Sequence, residues 1–173
     1  MKLFNLFLIL LLTCSGVYAE VFDKPSDIGT IKSSIPKLKD IKCKFKQEKH
    51  IQGLTKTLIS GGDFEFKKGS EGGIYFYTTY PIKSTVEYSS RNYKQINDII
   101  NAISTGKYSK LERDFEFYYE GTIEGWTFGL KPKVNSGAYN YLDFIKVEGK
   151  SDLIQKIDIT QKNSNRTEIW FTE

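Results

Sequence analysis

The sequence contains few of the residues from which metal centres and disulfide frameworks are built. Its 173 residues include two cysteines, one histidine, one methionine and two tryptophans. Two cysteines cannot form a disulfide framework, and one imidazole offers little to a metal ion. The sequence also lacks the motifs of a phosphate-binding loop, a zinc-protease helix and a hydrolase nucleophile elbow. We therefore predict no enzymatic centre, no cofactor and no metal.

Long apolar runs are equally scarce. Residues 3–12 form one such run, which follows Lys2 and precedes the small residues Val17 and Ala19. This run is shorter than the ~20 residues needed to cross a bilayer, and its flanks are typical of a secretory signal peptide. We predict a cleaved signal peptide over residues 1–19. Cys14 follows Leu-Leu-Thr, a weak match to a lipoprotein acylation site, so a lipid-anchored form stays open.

Charge is nearly balanced in this chain. Lysine and arginine together number 25 and aspartate and glutamate 21, which gives a formal net charge of +4. The basic residues are scattered rather than clustered, whereas nucleic-acid binding concentrates them on one patch. We predict one soluble domain over residues 20–173, monomeric and without a nucleic-acid partner. A mildly positive surface would also favour approach to anionic phospholipid headgroups.

What the sequence does contain is aromatic residues and alternating patterns. Phenylalanine and tyrosine number 12 and 11, and such residues favour strands over a helical bundle. Period-two alternation predicts strands near residues 43–47, 63–67, 74–79, 85–88, 114–120, 123–131, 139–148, 153–160 and 167–172. Glycine-rich and polar turns at residues 69–73 and 162–165 separate some of them. The fold class predicted is mainly β with two short helices.

The two helices are predicted from apolar residues at three- and four-residue spacing. Residues 27–42 carry the first such stripe, which Pro36 interrupts. The second stripe consists of Ile96, Ile99, Ile100 and Ile103, and Gly106 stands where the helix would end. Each helix has one apolar stripe, so each must cover something apolar on the sheet.

Bulky apolar residues occur on most of the predicted strands. A sheet with one solvated face would bring them to the other face, where they would line a cavity or fill a closed core. The candidate cavity lining is Phe45, Phe64, Phe66, Ile74, Phe76, Phe115, Phe117, Trp126 and Phe128. Phe144 and Phe171 extend the same pattern. Composition alone favours the closed core, because aromatic stripes usually pack in cores.

Several short motifs resemble the periplasmic lipoprotein carrier family, the LolA-like proteins. They are Phe-Lys-Gln at 45–47, Gly-Gly-Asp-Phe-Glu-Phe at 61–66, Gly-Ile-Tyr-Phe at 73–76, Thr-Tyr-Pro at 79–81, and the segment from Trp126 to Pro132. Their order, together with the predicted signal peptide, is similar to that family's. The resemblance implies an incomplete antiparallel β-barrel, or strongly curved sheet, with a helical lid over an apolar cavity.

The resemblance also implies a function. A periplasmic carrier of this family shields the acyl chains of lipoproteins between an inner-membrane release complex and an outer-membrane acceptor. Family members often have an Arg-Pro pair after the second strand that helps to hold the lid closed; here Lys68 and Gly69 stand there. Lysine lacks the planar donor fork of arginine, so a latch through Lys68 would be weaker, and a solvated turn lysine is an equally good account of it.

Two other functions stay open at this stage. One is an outer-membrane-anchored acceptor of similar fold, lipidated at Cys14. The other is a secreted hydrolase of lipids or glycans, although no carboxylate spacing recommends it. A nucleophile pair of Cys43 and His50 is disfavoured, because a separation of seven residues on one strand places the two side chains on opposite faces.

Overall fold

In the described part of the chain, the alternating segments form nine antiparallel strands, accompanied by three short helices. The computed structural model describes residues 21–68, 73–87 and 94–173. The elements are α1 (Ile28–Ser34), β1 (Ile41–His50), β2 (Leu58–Lys67), β3 (Gly73–Tyr80), β4 (Ser84–Glu87), α2 (Lys94–Thr105), α3 (Ser109–Asp114), β5 (Phe115–Thr122), β6 (Gly125–Pro132), β7 (Leu142–Lys150), β8 (Leu153–Gln161) and β9 (Arg166–Thr172). The prediction of a mainly β fold is confirmed.

All nine strands belong to one sheet in the order β4-β3-β2-β1-β9-β8-β7-β6-β5. Pairing of the first strand with the last joins the hairpins of the two halves, as Phe45 opposite Phe171 illustrates. The sheet is not closed, since β4 and β5 are its two edges. One apolar cluster receives side chains from β1–β3 and from β5–β9, which is consistent with a curved sheet.

The first helix is shorter than the sequence pattern predicts. Asp27 caps α1, and its carboxylate accepts hydrogen bonds from the amides of Gly29 and Thr30 at 2.8 and 3.0 Å. The helix ends at Ser34, because the residue before Pro36 is restricted to extended backbone. The apolar stripe over residues 27–42 is therefore helical only as far as Ser34, and the expected interruption at Pro36 is confirmed.

The second predicted helix is confirmed as α2, which ends just before Gly106. That glycine has φ +69° and donates its amide to the carbonyl of Ala102 at 2.8 Å, as a left-handed C-terminal cap does. α3 was not predicted. It has six residues, of which only Leu111 is buried. A single buried residue is too few to give a helical pattern in the sequence.

Some predicted features lie outside the described residues. These are the signal peptide over residues 1–19, Cys14, and most of the glycine-rich turn at 69–73, of which Gly73 begins β3. The turn at 162–165 is present between β8 and β9. Within the ranges that the model describes, none of the helices has the length and apolarity required to cross a bilayer.

Candidate functional site

The nine predicted lining residues lie on one face of the sheet, called here the apolar face. Register shows this directly: Phe45 is opposite Phe171, and Phe64 is opposite both Cys43 and Phe76. On the other half, Phe128 is opposite Tyr119 and Val147. Every one of the nine is buried, with no more than 6% of its surface exposed. The sequence therefore identified the residues of this face, but not how closely they pack.

The rings of the apolar face form two groups. Phe64 contacts Phe76 and Phe171, with ring centroids 4.9 and 4.7 Å apart, and Phe45 contacts Phe76 at 4.8 Å. On the other half, the rings of Phe117, Phe128 and Tyr108 pack edge to face at 5.4–6.1 Å. Burial raises the pKa of the Tyr108 hydroxyl, so that group stays protonated.

Trp126 shows how a polar group on this face is satisfied. Its ring is 2% exposed, and its indole Nε1 donates to the carbonyl of Ser151 at 3.0 Å. The donor therefore has a partner at the edge of the cluster while the ring stays in apolar surroundings. This geometry fixes the ring in one orientation against Gly149, its neighbour across the sheet.

α2 presents aliphatic side chains to the interior. Ile96, Ile99, Ile100 and Ile103 are all at most 3% exposed and belong to the same cluster as the rings. On its outer side the helix is joined to α3 by an ion pair between Asp98 and Lys110 at 2.6 Å. A surface ion pair of this kind adds only about 0–1 kcal/mol. The attachment of α2 is therefore dominated by apolar packing.

A small gap remains between α2 and the sheet. It is lined entirely by apolar side chains: Leu38, Ile41, Phe64, Ile100, Ile154 and Phe171. Its volume is about 10 Å³, at the lower limit for holding one water molecule. The prediction of a cavity large enough for an acyl chain is not confirmed, since the interior is closed at this point. Of the lining residues, Leu38, Ile41 and Ile154 were not among the predicted site residues, although each belongs to a periodic apolar stretch.

Lys68, the predicted latch, is exposed at the end of β2. Its backbone amide donates to the carboxylate of Asp40 at 3.0 Å. The side chain lies close enough to Asp152 to help lower the pKa of that carboxyl, for which the hydrogen bond from Lys39 is the largest cause. Lys68 thus belongs to an exposed group of charges beside β2, and a role for it in holding α2 stays a prediction.

The opposite face of the sheet is charged. Lys44 pairs with Asp63, and Lys42 and Lys67 pair with Glu65 at 3.2 and 3.0 Å. The hydrogen bond from Lys67 is the largest cause of the lowered pKa of Glu65. An open depression of about 560 Å³ is bounded by these residues. Its lining is Lys42, Cys43, Lys44, Asp63, Phe64, Glu65, Tyr77 and Glu173.

Ion pairs continue across the middle of the charged face. Trp170 lies between two lysines, with the ammonium groups of Lys46 and Lys156 at 5.6 and 5.0 Å from its ring centroid. Arg166 binds Asp158 at 2.5 Å, and this hydrogen bond is the main reason for the raised pKa of Arg166. Charges on this face are therefore engaged with one another.

One group on the charged face has the donor types of a metal site. Ligand atoms of Glu48, His50 and Glu168 lie within 4.8 Å of one another. Both carboxylates already have cationic partners, Lys46 for Glu48 at 2.7 Å and Lys156 for Glu168 at 2.6 Å. Bound ammonium groups already neutralise these carboxylates, so the group is best described as part of the ion-pair network.

Cys43 and His50 do not form a catalytic pair. They lie on opposite faces of β1, because Cys43 shares the face of Phe45 whereas His50 belongs with Glu48 and Glu168. Burial raises the pKa of the Cys43 thiol to about 11, so at neutral pH it carries very little of the reactive thiolate. The geometry gives no support to nucleophilic catalysis by this pair.

Among the described residues, the side chains that line the interior gap are all apolar. Comparison with protein-family models and with curated proteins yields no match to this chain. The similarity to the carrier family therefore stays a prediction from the sequence motifs.

Proposed function

We propose that this protein is a periplasmic carrier that encloses the acyl chains of lipoproteins, or of another acylated lipid, between α2 and the apolar face of the sheet. The observation that carries the proposal is the wholly apolar gap lined by Phe64, Ile100 and four other side chains. At this gap Ile100 of the amphipathic helix α2 lies near Phe64 and Phe171 of the sheet. The motifs that resemble the carrier family are a second, independent support.

Binding requires α2 to move, because the gap of about 10 Å³ holds no more than a water molecule. Burial of a side chain such as isoleucine stabilises a protein by about 1.5–3 kcal/mol, so uncovering the four isoleucines of α2 would cost on the order of 8 kcal/mol. An acyl chain recovers about 0.8 kcal/mol for each methylene it buries. Roughly ten methylenes would therefore offset the displacement of the helix.

This balance also accounts for release. A carrier must give up its cargo, and α2 is attached by apolar packing and by the exposed pair of Asp98 and Lys110. Such contacts are non-directional, so the helix can return over the apolar face as the acyl chain leaves. The proposed donor and recipient are the inner-membrane release complex and the outer-membrane acceptor that the family resemblance implies.

The test is binding of a fluorescent fatty acid to protein comprising residues 20–173, which contain every described element and exclude the apolar run 3–12. We expect saturable binding that a natural fatty acid displaces. Phe64→Glu should abolish it, because a carboxylate would then face the acyl chain. Ile100→Phe should weaken it about tenfold by filling the gap with ring atoms, at a stability cost of about 1–3 kcal/mol.

The matched control is Trp170→Glu, which makes the same aromatic-to-acid change on the charged face between two lysines. This variant should bind the probe as the parent does. Circular dichroism during heating separates loss of binding from loss of folding. Absence of saturable binding in the parent, or equal loss in Trp170→Glu and Ile100→Phe, contradicts the proposal.

A further inference from the structure

Exposed apolar side chains are concentrated at one end of the sheet. Six of them occupy two neighbouring hairpins: Ile51, Leu54, Leu58, Ile59, Tyr80 and Ile82. We call these six side chains, with Lys56 and Lys83, the hairpin-tip surface. Ile82 is 77% exposed and Leu54 is 55% exposed. Single exposed apolar residues are ordinary, but a group of six on two neighbouring hairpins is typical of an interaction surface.

Strand register places the two tips side by side. β1 ends at His50 and β2 begins at Leu58, while β3 ends at Tyr80. Because the strands are antiparallel and Tyr80 is opposite Gly61, both hairpins turn at the same end of the sheet. β2 pairs with β3 only from Gly61 onward, so residues 58–60 extend past β3. The β1–β2 hairpin is therefore a protrusion with apolar side chains on both of its sides.

The backbone of this protrusion is held by local contacts. The amide of Leu54 donates to the carbonyl of Ile51 at 3.0 Å, and that of Gln52 donates to the side chain of Asn165 at 2.8 Å. Gly53, at φ +86°, permits the turn between them. A tip whose amides already have partners can enter an apolar environment at a smaller desolvation cost.

The charge of the surface is of one sign. Residues 51–62 and 78–86, which include the whole hairpin-tip surface with Lys56 and Lys83, contain no aspartate or glutamate. Exposed apolar side chains combined with lysines, and an amphipathic tyrosine, are the composition of surfaces that enter the headgroup region of anionic membranes.

We propose that the hairpin-tip surface docks this protein on anionic phospholipid bilayers. The shape favours a bilayer over a protein partner, because a protruding tip needs a matching groove in a protein but enters a deformable lipid interface directly. The small apolar gap between α2 and the sheet lies at the other end of β1, beside Ile41. Ile41 and His50 are nine residue steps apart, a distance of about 30 Å along an extended strand. Docking does not depend on the proposed carrier function.

The experiment is flotation of protein comprising residues 20–173 with vesicles of phosphatidylethanolamine and phosphatidylglycerol, compared with vesicles of phosphatidylcholine alone. We expect stronger binding to the anionic vesicles, and weakening as salt is added. The double variant Leu54→Asp with Ile82→Asp should bind the anionic vesicles at least about tenfold more weakly. Lys56→Glu with Lys83→Glu should reduce binding and remove most of its dependence on salt.

The matched control is Ile123→Asp with Leu153→Asp, two exposed apolar residues at the opposite end of the sheet. This control should float with the vesicles as the parent does. Failure of the parent to bind anionic vesicles, or equal weakening in the control, overturns the proposal. So does a concentration-dependent dimer that the tip variant abolishes without any vesicle binding. The tip variant should keep its binding of the fatty-acid probe, which separates failure of docking from failure of the carrier function.

Discussion

The two faces of the sheet are built from the same strands but are stabilised by different interactions. On the apolar face, the phenyl rings and isoleucines are buried against α1, α2 and each other. On the charged face, lysines alternate with carboxylates, and Trp170 lies between two ammonium groups. The first face is stabilised by removal of apolar surface from water. On the second face the buried carboxylates Glu65, Asp158 and Glu168 are each paired with a lysine or arginine. The proposed function places the acyl chains on the first face.

The comparison predicts that deletion of a ring costs far more on the apolar face. Phe128 is fully buried and packs on Phe117 and Tyr108. Phe128→Ala should lower the free energy of unfolding by about 3–5 kcal/mol through lost burial and the cavity left behind. Trp170→Ala should cost about 1 kcal/mol, because its two cation–π contacts are partly exposed. Urea unfolding of both variants measures the difference, and equal losses would contradict the assignment of the faces.

Alanine substitutions at two glycines extend the comparison of the two faces. A Cβ at Gly149 would lie 2.0 Å from the ring of Trp126, which is buried and hydrogen-bonded to Ser151. A Cβ at Gly129 would lie 2.5 Å from the ring of Phe22, which belongs to the segment before α1. Gly149→Ala should cost about 1–3 kcal/mol, because Trp126 cannot move without disturbing the core.

Gly129→Ala should cost less, since Phe22 is only partly buried and its ring has more room to shift than that of Trp126. Thermal unfolding of the two alanine variants measures which substitution lowers stability more. A larger loss of stability at Gly129 than at Gly149 would mean that Phe22 is fixed more firmly than Trp126.

The alkylation rate of Cys43 should show a smaller effect, and it measures how accessible the apolar face is at this residue. In protein comprising residues 20–173 it is the only cysteine, and burial raises the pKa of its thiol to about 11. Alkylation by iodoacetamide should therefore be slow at pH 8 and should accelerate as the pH rises toward 11, because only the thiolate reacts. In urea the rate at pH 8 should rise to that of an ordinary thiol. Fast alkylation of the folded protein at pH 8 would show that this part of the face is open.

Lys68→Ala is expected to have the smallest effect. The side chain is exposed, and the contact of Lys68 with Asp40 is made by its backbone amide, which the substitution keeps. Stability and fatty-acid binding should both stay within about 0.5 kcal/mol of the parent. A marked increase in probe affinity for Lys68→Ala would instead support the predicted latch, because loss of a latch makes opening of α2 easier.

The strands and α2 could be predicted because a half-buried sheet and an amphipathic helix each impose a period on the sequence. Ile74 and Phe76 alternate with Tyr75 and Tyr77 in the sequence, and the structure places the first pair in the core. The end of α2 at Gly106 was predictable for a similarly local reason, the left-handed conformation of its cap.

Long-range features could not be predicted in this way. Phe144 was expected on the same face as the other rings, but it contacts Phe22 on the other side of the sheet. An irregularity between Leu142 and Phe144 changes the alternation, so Ile145 rather than Phe144 enters the core. The closeness of packing around Ile100 and Phe64 also depends on strand pairing that no local pattern records.

The most direct test of the central claim uses the two tryptophans, since one lies on each face. Trp126 is two strands from Ile154 of the gap, across Gly149, a separation of about 10 Å. A brominated fatty acid quenches indole fluorescence only at short range. With Trp170→Phe, which leaves Trp126, quenching should be strong and saturable. With Trp126→Phe, which leaves Trp170 on the opposite face of the sheet, quenching should be much weaker. Quenching of Trp170 alone, or of neither tryptophan, would contradict an acyl site on the apolar face.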